Sequence, residues 1–352
     1  MRRNPKLYIA LALIPQLIII KILTYCPEFI ENYYSNGLYQ WISKISRFVF
    51  GWLPFSFGDV FYTLSIIYVL RWLIKNRWRL IKNFKGWIID VASAISVIYF
   101  AFHFLWALNY YRQPLHKNLS LEADYTTEQL IAVTKNLIEK SNAIHQKIMT
   151  NDSFKVELPY SKKDILEMTP LGYTNLEKKY PHLAYSPTSL KTSLYSLPLT
   201  YMGFSGYLNP LTNEAQVDRL IPTFKFPTTA SHEIAHQLGY AAENEANFIG
   251  ALAAIYHDDI YFNYSGYTFA LRHCLFEIYR RDPDSYNNLV ETIHYGIIKN
   301  YQEVQLFWDS YKNPLEPLFK KTYDGFLIAN NQKGGMKSYS YVVALLVNYF
   351  NQ

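Results

Sequence analysis

Three long apolar runs lie in the first part of the chain, at about residues 7–25, 52–70 and 86–111. Polar residues are rare within them: the first run is interrupted only by Gln16 and Lys21, and the second carries Asp59 as its single charge. A helix needs about 20 apolar residues to cross the hydrocarbon of a bilayer, and each run provides about that number. The pattern therefore predicts three transmembrane helices.

Beyond residue 112 the apolar positions mostly recur at helical spacing. Thr126 and Gln129 have the pattern of a capping box before an amphipathic run to about Met149. Further helices are predicted at about 244–262, 266–281, 283–299, 300–312, 315–330 and 337–350. Residues 201–220 are typical of two short strands around the turn Asn209-Pro210. We expect a mainly α fold, with a three-helix transmembrane region at 1–112 and an α+β domain with a small sheet at 113–352.

The distribution of charge predicts how this chain is oriented in a membrane. Residues 1–112 contain 13 Lys+Arg and 4 Asp+Glu, whereas residues 113–352 contain 21 and 24. Six basic residues and no acid lie in the loop 71–85, and Arg2, Arg3 and Lys6 precede the first run. Short basic segments are retained in the cytoplasm. Three spans then place the N-terminus in the cytosol and residues from Gln113 onward outside it, with the lipid bilayer as a partner.

Composition excludes several other classes of protein. A charged fraction of 18% argues against a nucleic-acid-binding protein, and two cysteines, Cys26 and Cys274, are too few for a disulfide scaffold. We expect both thiols to be unpaired. Two alternatives to three spans remain: the first run as a cleaved signal peptide, although no small-x-small cleavage site follows it, and a buried helical hairpin in a soluble protein.

One short motif carries chemistry. Residues 232–236 read His-Glu-Ile-Ala-His, in a helix predicted to start at a Thr228/Thr229 cap and to end before Gly239. Histidines four residues apart project from one helix face, so His232 and His236 can bind one zinc ion. Glu233 is then placed to take a proton from the zinc-bound water and pass it to a leaving amine.

A catalytic zinc site needs a third protein ligand, and Glu243 and Glu245 follow the motif. If the next helix starts near Asn244, Glu245 shares a face with the apolar positions Phe248, Ile249, Leu252, Ile255 and Tyr256. A carboxylate buried beside this stripe would be costly without a metal. We therefore expect Glu245 as third ligand, with Glu243 as the alternative.

These residues resemble the gluzincin branch of the zincin metallopeptidases, and Asn244-Glu245-Ala246 matches the N-E-A that carries the third ligand in thermolysin-like enzymes. The gap from His236 is much shorter here, and Asn213-Glu214-Ala215 repeats the tripeptide. His232–Gly239 also fits the metzincin opening, but Ala242 replaces its third histidine. The layout of three spans, GYLNPLTNEAQVD, SHEIAHQLGYAAENEANF and GGMKSYSYV is similar to a bacterial membrane family, domain of unknown function 3810. The resemblance implies a zinc peptidase anchored in the bacterial cytoplasmic membrane.

Other residues are candidates for binding the substrate, stabilising the oxyanion and orienting a ligand. Residues 206–208 or 215–217 are candidates for an edge strand that pairs with an extended peptide or protein substrate. Tyr339, His257 and His273 are candidates for stabilising the oxyanion, and Asn247 for orienting a ligand. A plain structural hairpin explains the two strands equally well, and packing at a helix start is the simpler account of Asn247.

Three functions are compatible with these patterns. The first is a membrane-anchored zinc-dependent peptidase that hydrolyses peptide bonds with Glu233 as general base. The alternative is a non-catalytic membrane sensor or binding protein that keeps zinc as a structural element, and in a third hypothesis HEIAH is accidental. Glu233 argues against a structural site, which needs no base and usually closes with a fourth protein ligand. An intramembrane protease is disfavoured because the motif lies outside the apolar runs.

Overall fold

The computed structural model describes residues 5–332, 334–335 and 341–352 and is mainly helical. The α-helices are α1 Pro5–Leu11, α2 Leu13–Leu23, α3 Pro27–Phe29, α4 Tyr39–Gly51, α5 Phe57–Asn76, α6 Arg79–Lys82, α7 Phe84–Leu105, α8 Leu115–Asn118, α9 Thr127–Ile148, α10 Lys162–Leu176, α11 Ser196–Met202, α12 Phe226–Gln237, α13 Glu243–Ile255, α14 Ile260–Arg281, α15 Pro283–Val290, α16 Tyr295–Ser310, α17 Glu316–Ala329 and α18 Val342–Phe350. A π-helix, Ile30–Leu38, joins α3 to α4. The strands are β1 Leu190–Thr192, β2 Gly206–Leu208 and β3 Ala215–Val217.

Three helices are long and apolar enough to cross a membrane, as the hydropathy pattern predicts: Pro5–Leu23, Phe57–Asn76 and Phe84–Leu105. They indicate a membrane protein. The second begins five residues later than expected, because Ser56 caps α5 by accepting a hydrogen bond from the Asp59 main-chain N–H. The third ends earlier than expected, because Trp106 leaves the helical conformation and a 3₁₀-helix, Ala107–Tyr111, follows.

Contacts between the three spans show which of their ends lie together. Lys6, near the start of the first span, and Arg79, which follows the second, both form ion pairs with Asp90 near the start of the third, at 2.7 and 2.8 Å. The opposite ends of the three helices, at Leu23, Phe57 and Leu105, therefore lie together at the other face of the membrane.

The segment between the first two spans forms an element that the hydropathy pattern does not predict. Residues 27–51 are helical and pack against α12. Tyr39, Ser43 and Arg47 are fully buried on this side. The division of the chain into two domains at residue 112 stays a prediction, but the contacts of this segment join it to residues of the C-terminal part.

The small sheet lies beside the HEIAH helix. Its order is β1-β3-β2, with β1 parallel and β2 antiparallel to β3. The two strands around Asn209-Pro210 are as predicted, whereas β1 is an addition. Helix α12 contacts β3 on one side and α13 on another, so the HEIAH segment lies within a packed core.

Candidate metal centre

Helix α12 holds the HEIAH segment in a helical conformation. It begins two residues before the predicted threonine cap: Thr228 lies within the helix and bonds Ser265. Gly239, at φ +91°, ends the helix as predicted. The imidazoles of His232 and His236 lie on one face, with ring centroids 4.5 Å apart, as the spacing of four residues requires.

Glu243 lies next to the two histidines and forms a three-residue cluster with them. Its Oε2 atom lies 3.3 Å from His232 Nε2 and 3.6 Å from His236 Nε2. The ligand atoms of the three side chains all lie within 4.8 Å of one another. Among the described residues, this is the one group of three or more His, Cys, Asp and Glu with such spacing.

Glu245, the preferred third ligand in the sequence analysis, lies elsewhere. Its Oε1 accepts a hydrogen bond of 2.6 Å from the main-chain N–H of Leu115. Burial raises its pKa to about 7, although the Leu115 N–H and Arg112 oppose the shift. The structure thus brings Glu243, the alternative, to the histidines and places Glu245 away from them. Which of the two binds a metal stays a prediction, and the geometry favours Glu243.

The apolar pattern favoured Glu245 over Glu243 because it assumed that α13 has one buried face, whereas α13 is buried on nearly every side. It begins at Glu243, and every residue from Glu245 to Ala254 is buried, so an apolar stripe does not identify the face towards the motif. The position of Gly250 does identify the face of α13 that meets the motif. A Cβ added at Gly250 would lie 2.7 Å from the main-chain N of His232. Glu243 and Asn247 precede Gly250 by seven and three residues, and so lie on the face that meets α12.

The cluster fits a zinc ion. Zinc ligands lie about 2.0–2.1 Å from the metal, so the ligand atoms of a tetrahedral site are about 3.4 Å apart. The two distances from Glu243 Oε2 bracket this value. Both exceed the usual length of an N–H···O hydrogen bond, about 2.7–3.2 Å. The donor set of two imidazoles and one carboxylate is that of catalytic zinc sites with an open fourth position.

Neighbouring groups orient the proposed ligands. His236 Nδ1 lies 2.7 Å from the main-chain O of Tyr240, so Nδ1 donates to that oxygen and Nε2 is the ring nitrogen that faces Glu243. Tyr323 donates a hydrogen bond of 2.7 Å to Glu243 Oε1, which leaves Oε2 for the histidines. Sequence reasoning missed Tyr323, because the chain has 32 tyrosines and nothing in the sequence around position 323 singles it out.

The carboxylate and the imidazoles of the cluster shift one another's pKa. Burial raises the pKa of Glu243, but His236 and His232 outweigh it and hold the value well below the usual range. Burial likewise lowers the pKa of His236, and the Glu243 carboxylate raises it to about 9. Glu243 is thus an anion at neutral pH.

Glu233 lies against the sheet. A Cβ added at Gly206 in β2 would lie 2.6 Å from Glu233 Oε1, so the absence of a side chain there lets the carboxylate approach the strand. Its Oε2 is buried and has no hydrogen-bond partner among the described residues. Burial raises the pKa of Glu233 to about 8. The carboxyl group therefore titrates near neutral pH, and its unpartnered oxygen lies on the same helix as the two histidines.

The other candidates lie apart from this cluster or outside the described residues. His257 stacks on Phe262, and its ring nitrogens contact the main chain at Met168 and Asp259, so its role is structural. His273 packs against Phe269. Tyr339 lies outside the described residues. Cys26 and Cys274 are free thiols, as expected.

The three spans and the His-His-Glu cluster together define a membrane protein with a candidate metal centre. Residues 34–347 match the family described as protein of unknown function (DUF3810), and the chain belongs to this family. Comparison with curated proteins and with solved structures gave no match.

Proposed function

We propose that this protein is a membrane-anchored, zinc-dependent peptidase with a zincin-like site. The observation that carries the proposal is the position of Glu243 Oε2, 3.3 and 3.6 Å from the two histidines of an H-E-x-x-H helix. His232, His236 and Glu243 would hold the zinc ion. When bound there, zinc activates a water molecule as nucleophile and polarises the carbonyl of the scissile bond.

The side chain of Glu233 would then transfer the proton. Glu233 accepts it at Oε2, the buried oxygen that has no partner among the described residues, and returns it to the leaving amine. The pKa of about 8 that burial produces suits a group that must both accept and release a proton near neutral pH.

An extended peptide substrate could pair with strand β2. β2 is an edge strand, and Asp218 N and Asn209 N form the hydrogen bonds that link it to β3 at Ser205 and Glu214. Alternation in an antiparallel pair therefore turns the N–H and C=O of Gly206 and Leu208 outwards. A peptide that adds to this edge would pass beside Glu233.

The metal site would lie outside the cytoplasm. The basic loop 71–85 and the three spans support this orientation. A topology reporter fused after Lys75 should register as cytoplasmic, and one fused after Asn118 as extracytoplasmic. If both report one side, the compartment of the site must be reassigned.

The decisive experiment compares wild type with Glu233→Gln. Both purified proteins should contain one zinc ion per chain, because Glu233 is not a ligand. The membrane proteome of cells with wild type should contain cleavage products that cells with Glu233→Gln lack. Equal zinc and identical proteomes would instead favour the sensor or binding protein, and a wild type without zinc would reject both functions.

A further inference from the structure

Helix α4 has its polar side buried and its apolar side exposed. Tyr39, Ser43 and Arg47 face inwards, where the hydroxyls of Tyr39 and Ser43 donate hydrogen bonds to the main-chain O of Gln237 at 2.9 and 2.8 Å, and Arg47 to Pro187 O at 2.9 Å. The outward side consists mainly of apolar residues that are between 46% and 76% exposed, with the exposed Lys44 beside them. The apolar residues are Trp41, Ile45, Phe48 and Val49 in the helix and Trp52 directly after it. This is the reverse of the pattern of a helix on the surface of a protein in water.

The ends of this segment are tied to one face of the membrane. Residues 24–26 join it to the end of the first span, and residues 52–56 join it to the start of the second. Those two span ends lie on the same side, since Lys6, Arg79 and Asp90 meet at the opposite ends. The segment consists of α3, the nine-residue π-helix and α4, and the five residues 52–56 that follow it can reach at most about 17 Å. Because the segment starts and ends at the same face, it lies on that side of the membrane and does not cross it.

We infer that lipid covers the exposed apolar side of α4. α4 has 13 residues and is too short to span a bilayer, which needs about 20. It lies along the chain between two candidate spans, and both of these also carry exposed apolar residues. Tryptophan and phenylalanine on one side of a surface helix are typical of helices that lie in the bilayer interface.

The end of the third candidate span lies close to the candidate metal centre. Phe102, in the last turn of the third span, has its ring 6.1 Å from that of Phe326 in α17. Phe326 stacks at 6.0 Å on Tyr323, whose hydroxyl donates to Glu243. Two aromatic rings thus separate the last turn of a membrane span from a proposed zinc ligand.

We propose that α4 lies in the bilayer interface with its apolar side in lipid and holds α12 at the membrane surface. Its hydrogen bonds to Gln237, the residue after His236, fix the end of the HEIAH helix at that depth. Substrates of the site are then segments of polypeptide that lie next to the membrane, a conclusion that rests on the proposed peptidase function.

The placement of α4 is tested by fluorescence quenching on the full chain in vesicles of phosphatidylcholine and phosphatidylglycerol. A bimane label is attached to Phe48→Cys or Ile45→Cys in a Cys26→Ser background. The control is Lys140→Cys, an exposed position on α9. Nitroxide lipids should quench the label on α4 several-fold more than the control, and aqueous iodide should show the reverse order. Quenching of both labels by iodide overturns the proposal, as does protection of the α4 label from both quenchers, which would show a protein partner on this face.

The substrate class is tested by mapping new N-termini in membranes of cells with wild type and with Glu233→Gln. Sites specific to wild type should lie within about 15 residues of an apolar span, on the side of the metal site. Sites spread through domains far from any span overturn the substrate class but leave the peptidase standing. No difference between the two strains overturns the peptidase, and with it the substrate class, whereas the quenching result is independent of either outcome.

Discussion

The indole N–H of Trp106 donates a hydrogen bond of 3.2 Å to the main-chain O of His236, and the two rings meet edge to face with centroids 6.2 Å apart. Trp106 is the first residue after the third span, and His236 is the second histidine of the HEIAH helix. The Trp106 side chain therefore links the end of the third candidate span directly to the candidate site.

Trp106→Phe tests this connection. The variant keeps an aromatic ring and removes the indole donor, while the His236 carbonyl still accepts a hydrogen bond of 3.0 Å from the Gly239 N–H. The free energy of unfolding should therefore fall by about 0.5–1.5 kcal/mol. The measurement is thermal unfolding of the purified protein in detergent. Trp41→Phe, at an exposed position, is the matched control and should change stability by less than about 0.5 kcal/mol. Equal effects of the two changes would show that the Trp106 hydrogen bond contributes little.

The two glutamates of α13 give opposite predictions for metal content. Glu243→Gln removes the carboxylate oxygen that lies near both histidines, so zinc content should fall to the level of His232→Ala and His236→Ala. Glu245→Gln should retain zinc, because its carboxylate contacts Leu115 and not the histidines. Metal analysis of the purified variants by mass spectrometry provides the measurement. Zinc lost from the Glu245→Gln variant and retained in the Glu243→Gln variant would reverse the assignment.

These two residues also show where sequence reasoning reaches its limit. The HEIAH helix, its glycine stop, the capping box of Thr126 and Gln129 and the two strands follow from local patterns, and each is confirmed. The choice between Glu243 and Glu245 depends on how α13 packs. Since that helix is buried on nearly all sides, hydrophobic periodicity carries no information about its orientation.

The orientation of the amphipathic α4 escapes prediction for a related reason. Its apolar and polar residues alternate at helical spacing, but a periodic pattern does not state which side is covered by protein and which by lipid. Only the contacts of Tyr39 and Ser43 with Gln237 identify the polar side as the inner one. Tyr323 is a second case, because it reaches Glu243 from a helix 80 residues away.

Gly206→Ala should separate the base from the metal. The added Cβ would lie 2.6 Å from both Glu233 Oε1 and the main-chain O of Gln216, so the carboxylate or the strand must move. We expect zinc content to stay at one per chain and hydrolysis to fall at least about tenfold, because a general base must lie within hydrogen-bond reach of the proton that it takes. Gly203→Ala, where a Cβ meets nothing within 4 Å but φ is +83°, controls for glycine strain alone. Full activity of the Gly206→Ala variant would contradict the role of Glu233.

The start of the second span is held by a buried ion pair, which gives the last prediction. Glu214 is fully buried, and its carboxylate bonds Lys191 Nζ at 2.6 Å and the main-chain N–H groups of Phe57 and Gly58 at 3.0 and 2.6 Å. Those two N–H groups are among the donors that the first turn of α5 cannot satisfy itself. The tripeptide Asn213-Glu214-Ala215 thus has a structural role: it fixes a membrane span to the sheet.

Lys191→Met leaves the Glu214 carboxylate buried without its cation, and should lower the free energy of unfolding by about 3–5 kcal/mol. Glu214→Gln alone leaves the buried Lys191 ammonium without a counter-ion, although it still donates to the main-chain O of Phe50 and Phe55, so its loss should be smaller. The double variant should lose less than the sum of the two single losses, because no uncompensated charge remains. The exposed pair of Lys155 and Glu303 is the control, and its single variants should change stability by less than about 1 kcal/mol. Additive losses in the Lys191–Glu214 cycle, measured by thermal unfolding in detergent, would show that the two charges act independently and that α5 is held mainly by its packing.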